Sequence, residues 1–322
     1  MAHFVKTFSR ISREDVQDVG GKAANLGELT RKGFNVPQGF CVTAASLSHL
    51  IVSNGLEKSI ADIADRFDYD DYGAMEEATS AIRELICKTE LPEGLNAEIM
   101  EAIKKLRDGG ADFVAVRSSV AVKNTSISSF PGMMDTYHYL KGEEEILDHI
   151  RQCWASLWTT RATMNRHHKG IDHNLGIIAA IVQKMVFPET AGVLFTANPI
   201  TSSREEVVIE ANWGLGESVV SGKSMNDFYL LAKDPLALKQ KNISKKTVMV
   251  DFNGEKGSGR REHAVAPDMM DKPTLDDNQA VALARKGLEI EAAFGAPQDI
   301  EWACQAGELF ILQTRNIRTL KN

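Results

Sequence analysis

The chain has 322 residues, 43% hydrophobic and 25% charged, with a formal net charge of −7, enough for one large or two medium domains with their own cores. The acidic balance argues against a nucleic-acid or anionic-membrane binder, for which a basic surplus is expected. No apolar run approaches the length of a membrane span, and Met1 to Lys6 lacks the apolar stretch of a signal peptide, so a cytoplasmic protein is expected. Cys41, Cys87, Cys153 and Cys304 are dispersed without CxxC spacing, which reads as buried thiols rather than zinc ligands.

Gly20-Gly21-Lys22 comes first, with Asn25-Leu26-Gly27 behind it. Two glycines release the backbone where a helix begins, so N–H groups and the Lys22 ammonium could face an anion together. A helix start with a solvated lysine reads the same way. Residues 33–40 form a turn into a short extended segment, and helical patterns follow at about 43–53, 73–88 and 92–107. Residues 112–119 read as a strand with Arg117 at its end, either a surface arginine or a phosphate clamp aimed into a cleft. The Ser-rich stretch 124–129 leads into Phe130-Pro131-Gly132-Met133-Met134-Asp135-Thr136. There Pro-Gly fixes a tight turn, and the loop can offer N–H groups and the Thr136 hydroxyl to phosphate. Such a loop must open to exchange nucleotide.

Residues 143–169 read as one long helix, with Trp154, Leu157 and Trp158 on an apolar core stripe and His167-His168 at a solvated end. Two strands, 177–185 and 192–196, are joined by the turn 188–191; Gln183, Lys184, Met185 and Val186 could lie against an adenine, though an interior strand looks alike. Residues 207–217 form a strand ending in a glycine-bearing loop that carries Glu217, and 227–231 another strand. The tract 233–273, rich in Lys, Asp and Gly, is the least core-like. Thr274 with Asp277 suggests a capping box opening a helix to about Ala293.

The chain closes on Gln298-Asp299-Ile300-Glu301-Trp302 and Leu309-Phe310-Ile311-Leu312-Gln313-Thr314-Arg315, both alternating polar with apolar as half-buried strands do. Asp299, Glu301, Gln313 and Arg315 fall in one phase; Ile300, Trp302, Phe310 and Leu312 fall in the other. A three-residue turn centred on Gly307 would set Glu301 opposite Gln313 and Asp299 opposite Arg315. Two carboxylates two residues apart suit Mg²⁺, which takes few protein ligands and keeps waters and phosphate oxygens. A nearby arginine would grip phosphate. An edge hairpin with a solvated polar face and a rim salt bridge fits the same pattern.

These segments, in this order, resemble the N-terminal nucleotide-binding domain of the dikinase family, which includes pyruvate phosphate dikinase, phosphoenolpyruvate synthase and rifampin phosphotransferase. The resemblance rests on Gly20-Gly21-Lys22, Val116-Arg117-Ser118-Ser119, Pro131 to Thr136, Gln183 to Val186, Gly192 to Thr196 with Pro199, Glu210-Ala211 with Gly214 to Glu217, Asp299 to Trp302, and Gln313-Thr314-Arg315. It implies an α+β fold of the ATP-grasp type, in which two lobes (1–195 and 196–322) hold the nucleotide between them. Carried over, Lys22 and Arg117 would hold ATP phosphates and Gly132 to Thr136 would form the loop over them. Glu301, with Gln313, would meet Mg²⁺, and Arg315 the transferred phosphoryl group. Asp299 and Glu217 are further nucleotide candidates.

The loop's Phe-Pro-Gly-Met-Met-Asp-Thr is closer to the pyruvate phosphate dikinase form than to the synthase form. The acidic residues that often follow Arg-Ser-Ser are replaced here by Val120-Ala121-Val122-Lys123-Asn124. Family members also carry a swivelling domain with a phosphorylatable histidine in a Thr-Ser-His setting, and a domain for the acceptor. None of the eight histidines here has that setting. The resemblance therefore implies the nucleotide subunit of a split enzyme, or a piece of a longer chain. The start at Met1 and the short tail favour the split enzyme, in the manner of phenylphosphate-synthase-type systems. The expected reaction uses ATP and Mg²⁺, phosphorylates a histidine on a partner subunit that also binds a pyruvate-like or phenolic acceptor, and leaves AMP and phosphate. A stand-alone ATP-grasp ligase and a silent ATP-sensing module remain as alternatives.

Overall fold

A computed structural model describes residues 3–123, 136–220, 224–317 and 320. It divides into two compact units, residues 1–28 with 38–185, and residues 29–37 with 186–322. The division expected at 195/196 falls one strand later than this one, because the strand Thr190–Phe195 pairs on both sides with strands of the second unit.

The first unit contains β1 (Val5–Thr7), most of α1 (Val16–Arg31), β2 (Gly39–Val42), α2 (Ala44–Ser53), α3 (Glu57–Ala64), α4 (Tyr72–Lys88), α5 (Glu93–Asp108), β3 (Val114–Val122), β4 (Thr136–Leu140), α6 (Glu143–Ala155), α7 (Thr160–His168) and β5 (Gly176–Lys184). Its sheet runs β1-β2-β5-β3-β4, antiparallel throughout. Strand alternation separates its two faces. Phe40, Val42, Val116, Val120, Ile178, Ala180 and Val182 join the helices in the core. The opposite face carries Arg117, Ser119 and Gln183.

Three expectations change here. Strand β3 continues through Val120-Ala121-Val122, all buried, so Arg117 stands mid-strand and not at an end. The single helix expected over 143–169 is broken: a 3-10 turn at Ser156–Trp158 leads to Thr159, which turns extended (φ −65°, ψ 146°) and recaps α7 by accepting from the Ala162 N–H. Trp154 and Trp158 are core residues, as expected. His167 is exposed but stacks on Tyr69, ring centroids 3.6 Å apart, so it is more than a solvated end.

The second unit holds β6 (Thr190–Phe195), β7 (Glu206–Trp213), α8 (Glu217–Val220), β8 (Asp227–Lys233), β9 (Leu236–Asn242), β10 (Val248–Phe252), β11 (Arg260–Ala264), α9 (Asp277–Phe294), β12 (Gln298–Gln305) and β13 (Glu308–Asn316). Six strands form the antiparallel sheet β13-β12-β6-β7-β8-β9, while β10 and β11 make a separate ribbon. Strands β5 and β6, though joined by the expected short connection, therefore lie in different sheets. Helix α9 packs Ala280, Leu283, Ala284 and Ile290 on the face bearing Leu194, Ile209, Tyr229, Ile300 and Trp302.

The cap of α9 is one step off the expected box. Asp276 accepts from the Gln279 N–H and Gln279 answers to the Asp276 N–H. Thr274 is taken instead by Asp227, whose carboxylate accepts from both its N–H (2.7 Å) and its hydroxyl (2.9 Å). The same carboxylate pairs at 2.7 Å with Lys246, and both side chains are fully buried. The least core-like tract thus contains a buried charge, tolerable only because it is paired and hydrogen-bonded.

Candidate active site

The first unit sets Arg117, Thr136 and Gln183 on one sheet face. Arg117 lies directly opposite Thr136 on β4 and Ile181 on β5, so Thr136 shares its face. Gln183, 3% exposed, lies along the same face of β5. Helix α1 meets this face at its break. Gly20 adopts φ 74°, ψ 169°, a region essentially closed to residues with a Cβ, and a Cβ there would stand 2.4 Å from the Ser119 carbonyl carbon. The following turn is anchored by the Ala23 N–H donating to Ser119 Oγ at 3.0 Å. Lys22, half-buried, lies between Gly20 and Ala23 at the start of the new helical run. Ser119 is two residues beyond Arg117 on the same face, so the helix start carrying Lys22 docks beside the guanidinium strand. Gly132, Met133, Met134 and Asp135 lie outside the described residues.

The backbone of the proposed adenine strand is largely committed. The Lys184 and Met185 N–H groups donate to the carbonyls of Gln38 (2.8 Å) and Phe113 (2.9 Å). Met185 is buried, and Val186 packs in a small cluster with Ala191 and Ala303.

In the second unit, β12 and β13 pair Glu301 with Gln313 and Asp299 with Arg315, but the turn that achieves this differs from the expected one. Gln305 pairs with Glu308 across the two-residue turn Ala306-Gly307 (φ 51° and 77°), the paired positive φ of a tight hairpin turn. The register then shifts beside Trp302, which pairs with Ile311, leaving Leu312 as the extra residue of a bulge. The expected faces change with it. Ile311 joins Ile300 and Trp302 in the core, and Phe310 and Leu312 pack instead on the Val186-Ala191-Ala303 cluster. Ala303 follows Glu301 by two residues on its strand, so this small apolar floor adjoins the carboxylates.

Gln313 Nε2 donates to Glu301 Oε1 at 2.9 Å. Arg315 donates to Asp299 Oδ2 through Nε (2.7 Å) and a terminal nitrogen (2.6 Å). Burial pushes the Asp299 carboxyl above its usual range; Arg315 draws it down and Glu301 pushes it further up. Glu217 opens α8 and is ion-paired to Arg260 of β11.

Sequence reasoning counted Glu210 in the resemblance but gave it no role. Its strand neighbours Ile209 and Ala211 belong to the core, while Glu210 sits across β6 from Glu301, both opposite Val193. Two strand spacings, about 10 Å, separate them along one face. Asn226 donates to Glu210 (3.2 Å) and accepts from Asn212 (3.1 Å), which orients the carboxylate. The available signal was one ionisable residue inside an apolar strand. Glu301 and Gln313 offer oxygen donors of the kind Mg²⁺ takes, in the small number it needs beside waters and phosphate. Among the described residues no cluster of three or more His, Cys, Asp or Glu could hold a metal by itself. No helix among them is long and apolar enough to cross a membrane.

A family model described as pyruvate phosphate dikinase, AMP/ATP-binding domain, matches residues 16–322. A probable phosphoenolpyruvate synthase of Pyrococcus horikoshii is 40% identical, aligned over 99% of this chain and 44% of its own. Its counterpart in Methanocaldococcus jannaschii is 42% identical over 99% of this chain and 27% of its own. A rifampicin phosphotransferase of Bacillus cereus is 39% identical over 99% of this chain and 36% of its own. The chain spans less than half the length of these relatives.

Proposed function

The chain belongs to the pyruvate phosphate dikinase AMP/ATP-binding domain family, and from that membership we propose that it is the ATP-using part of a dikinase-type phosphotransferase with an ATP-grasp fold. The observation that carries the reading is the single face of β12 and β13, where Glu301 opposes Gln313 and Asp299 opposes Arg315. Acid, amide and guanidinium at that spacing suit a metal-bound triphosphate better than a rim salt bridge, which needs neither Glu301 nor a half-buried polar face. Relatives named as phosphoenolpyruvate synthases and as a rifampicin phosphotransferase support the same chemistry.

In this reading Lys22 and Arg117 bind ATP phosphates, with Thr136 and the preceding Gly132 to Asp135 over them. Gln183 to Val186 lie against the base, and Glu217 and Asp299 make further nucleotide contacts. Glu301 and Gln313 would hold Mg²⁺, which neutralises phosphate charge when bound. Arg315 orients the group being transferred. The work is alignment and charge neutralisation within an acidic protein. A partner histidine takes the β- and γ-phosphates together as a pyrophosphoryl group, leaving AMP, and water then removes the terminal phosphate as inorganic phosphate to leave a phosphohistidine.

The test is chromatography of nucleotide products after incubation with ATP, Mg²⁺ and the histidine-bearing domain of a relative such as the Pyrococcus horikoshii protein. AMP and phosphate are expected. Arg117→Ala and Glu301→Gln should each lower AMP formation by about 10²- to 10³-fold, the usual cost of one preorganised contact. ADP as the product, or AMP formation by either variant at the unmodified rate, overturns the assignment.

A further inference from the structure

On the helical side of the first unit, opposite the face bearing Arg117, a cleft of about 440 Å³ opens between α4, α6, the 3-10 turn and the start of α7. Its volume falls within the range of about 300–1,000 Å³ found for small-molecule sites. The reading proposed for the opposite face gives it no role.

Its charges are two guanidiniums, Arg83 and Arg161, and one carboxylate, Glu76. Glu76 is already engaged by Arg83 (2.7 Å) and by the Thr160 hydroxyl (2.5 Å), and these contacts hold its carboxyl below the usual range. Arg83 spends two further N–H bonds on Thr79 and the Trp158 carbonyl, leaving two of its five without acceptors among the described residues. The side chains of Arg161 and Gln152 and the Tyr72 hydroxyl have no hydrogen-bond partner among those residues. Tyr72 is 65% exposed at the edge of the cleft.

The unspent groups are chiefly donors, and the net charge of the three ionised side chains is positive in a protein whose overall charge is negative. Helix stability does not explain Arg161. It lies in the first turn of α7, where a cation opposes the helix dipole and no acidic residue accompanies it.

We propose that this cleft is a second ligand site, taking a small metabolite with an oxyanion head group, held by Arg161 and Arg83 with Gln152 and Tyr72 at its edge. It stands independently of the nucleotide reading. The probes are inorganic phosphate and, separately, acetate, titrated calorimetrically into the full chain. Two variants remove the site differently: Arg161→Gln deletes an exposed charge, and Gln152→Trp fills the space and leaves both arginines. Saturable phosphate binding, weakened at least about tenfold by each variant as expected for a lost charge-assisted bond, supports a phosphate-bearing ligand. The same pattern with acetate supports a carboxylate-bearing one. Binding that survives both substitutions with circular dichroism unchanged, or no saturable binding of either probe, overturns the site.

Discussion

Asp299 shows how a single residue's neighbours set its chemistry. Burial alone favours its protonated form, Arg315 opposes that, and Glu301 two residues along reinforces it. A carboxyl raised in this way loses its charge sooner as pH falls, and with it any contact it makes as an anion. Replacing Arg315 with Ala removes the one group that draws it down. ATP binding by Arg315→Ala should therefore begin to weaken at a higher pH than that of the unmodified protein as pH falls. Profiles that fall off over the same pH range for the two proteins, measured by calorimetry, would contradict it. The pairing behind this argument was legible, since Asp299, Glu301, Gln313 and Arg315 alternate with apolar residues. The buried Asp227–Lys246 pair was not. Its members are far apart in sequence, and a lysine in a polar tract reads as solvated until tertiary structure encloses it.

At the scale of elements, the hairpin reached its expected register by another route. The tight turn at Ala306-Gly307 alone would have shifted the pairs by one, and the bulge at Leu312 restores them. Nothing in an apolar-polar string marks a bulge whose extra residue is one more apolar side chain. The cap of α9 failed for a similar reason: two overlapping patterns satisfy the box, and Asp227's claim on Thr274 decides between them. Helix α1 is the opposite case, for its two glycines announced a helix start at Lys22, and the structure shows it as a break at Gly20 within a longer helix. The close approach of Gly20 to Ser119 makes that break a positioning device for Lys22. Gly20→Ala should destabilise the first unit by about 1–3 kcal/mol through backbone strain alone, with more from the contact on β3. Urea unfolding checks this; an unchanged midpoint would mean that the helix start does not depend on the break.

Among the described residues each unit has one large antiparallel sheet, with a helix-covered core face and a second face bearing candidate residues, and β10 and β11 add a separate ribbon. Most elements were visible in periodicity, and the collinear motifs pointed to the family that matches residues 16–322, the α+β class coming with that resemblance. The division of the chain was harder to see, because residues 29–37 leave their sequence neighbours to join the second unit. No local pattern encodes that exchange. The proposed function assigns Arg117 and Glu301 to the same Mg²⁺-dependent nucleotide. Calorimetric titration of ATP with and without Mg²⁺, into the unmodified chain, Arg117→Ala and Glu301→Gln, tests it most directly. One saturable site is expected, strengthened by Mg²⁺ and weakened at least about tenfold by either substitution, the scale of a lost charged contact. Binding that is indifferent to Mg²⁺, or that either variant retains at full strength, would contradict it.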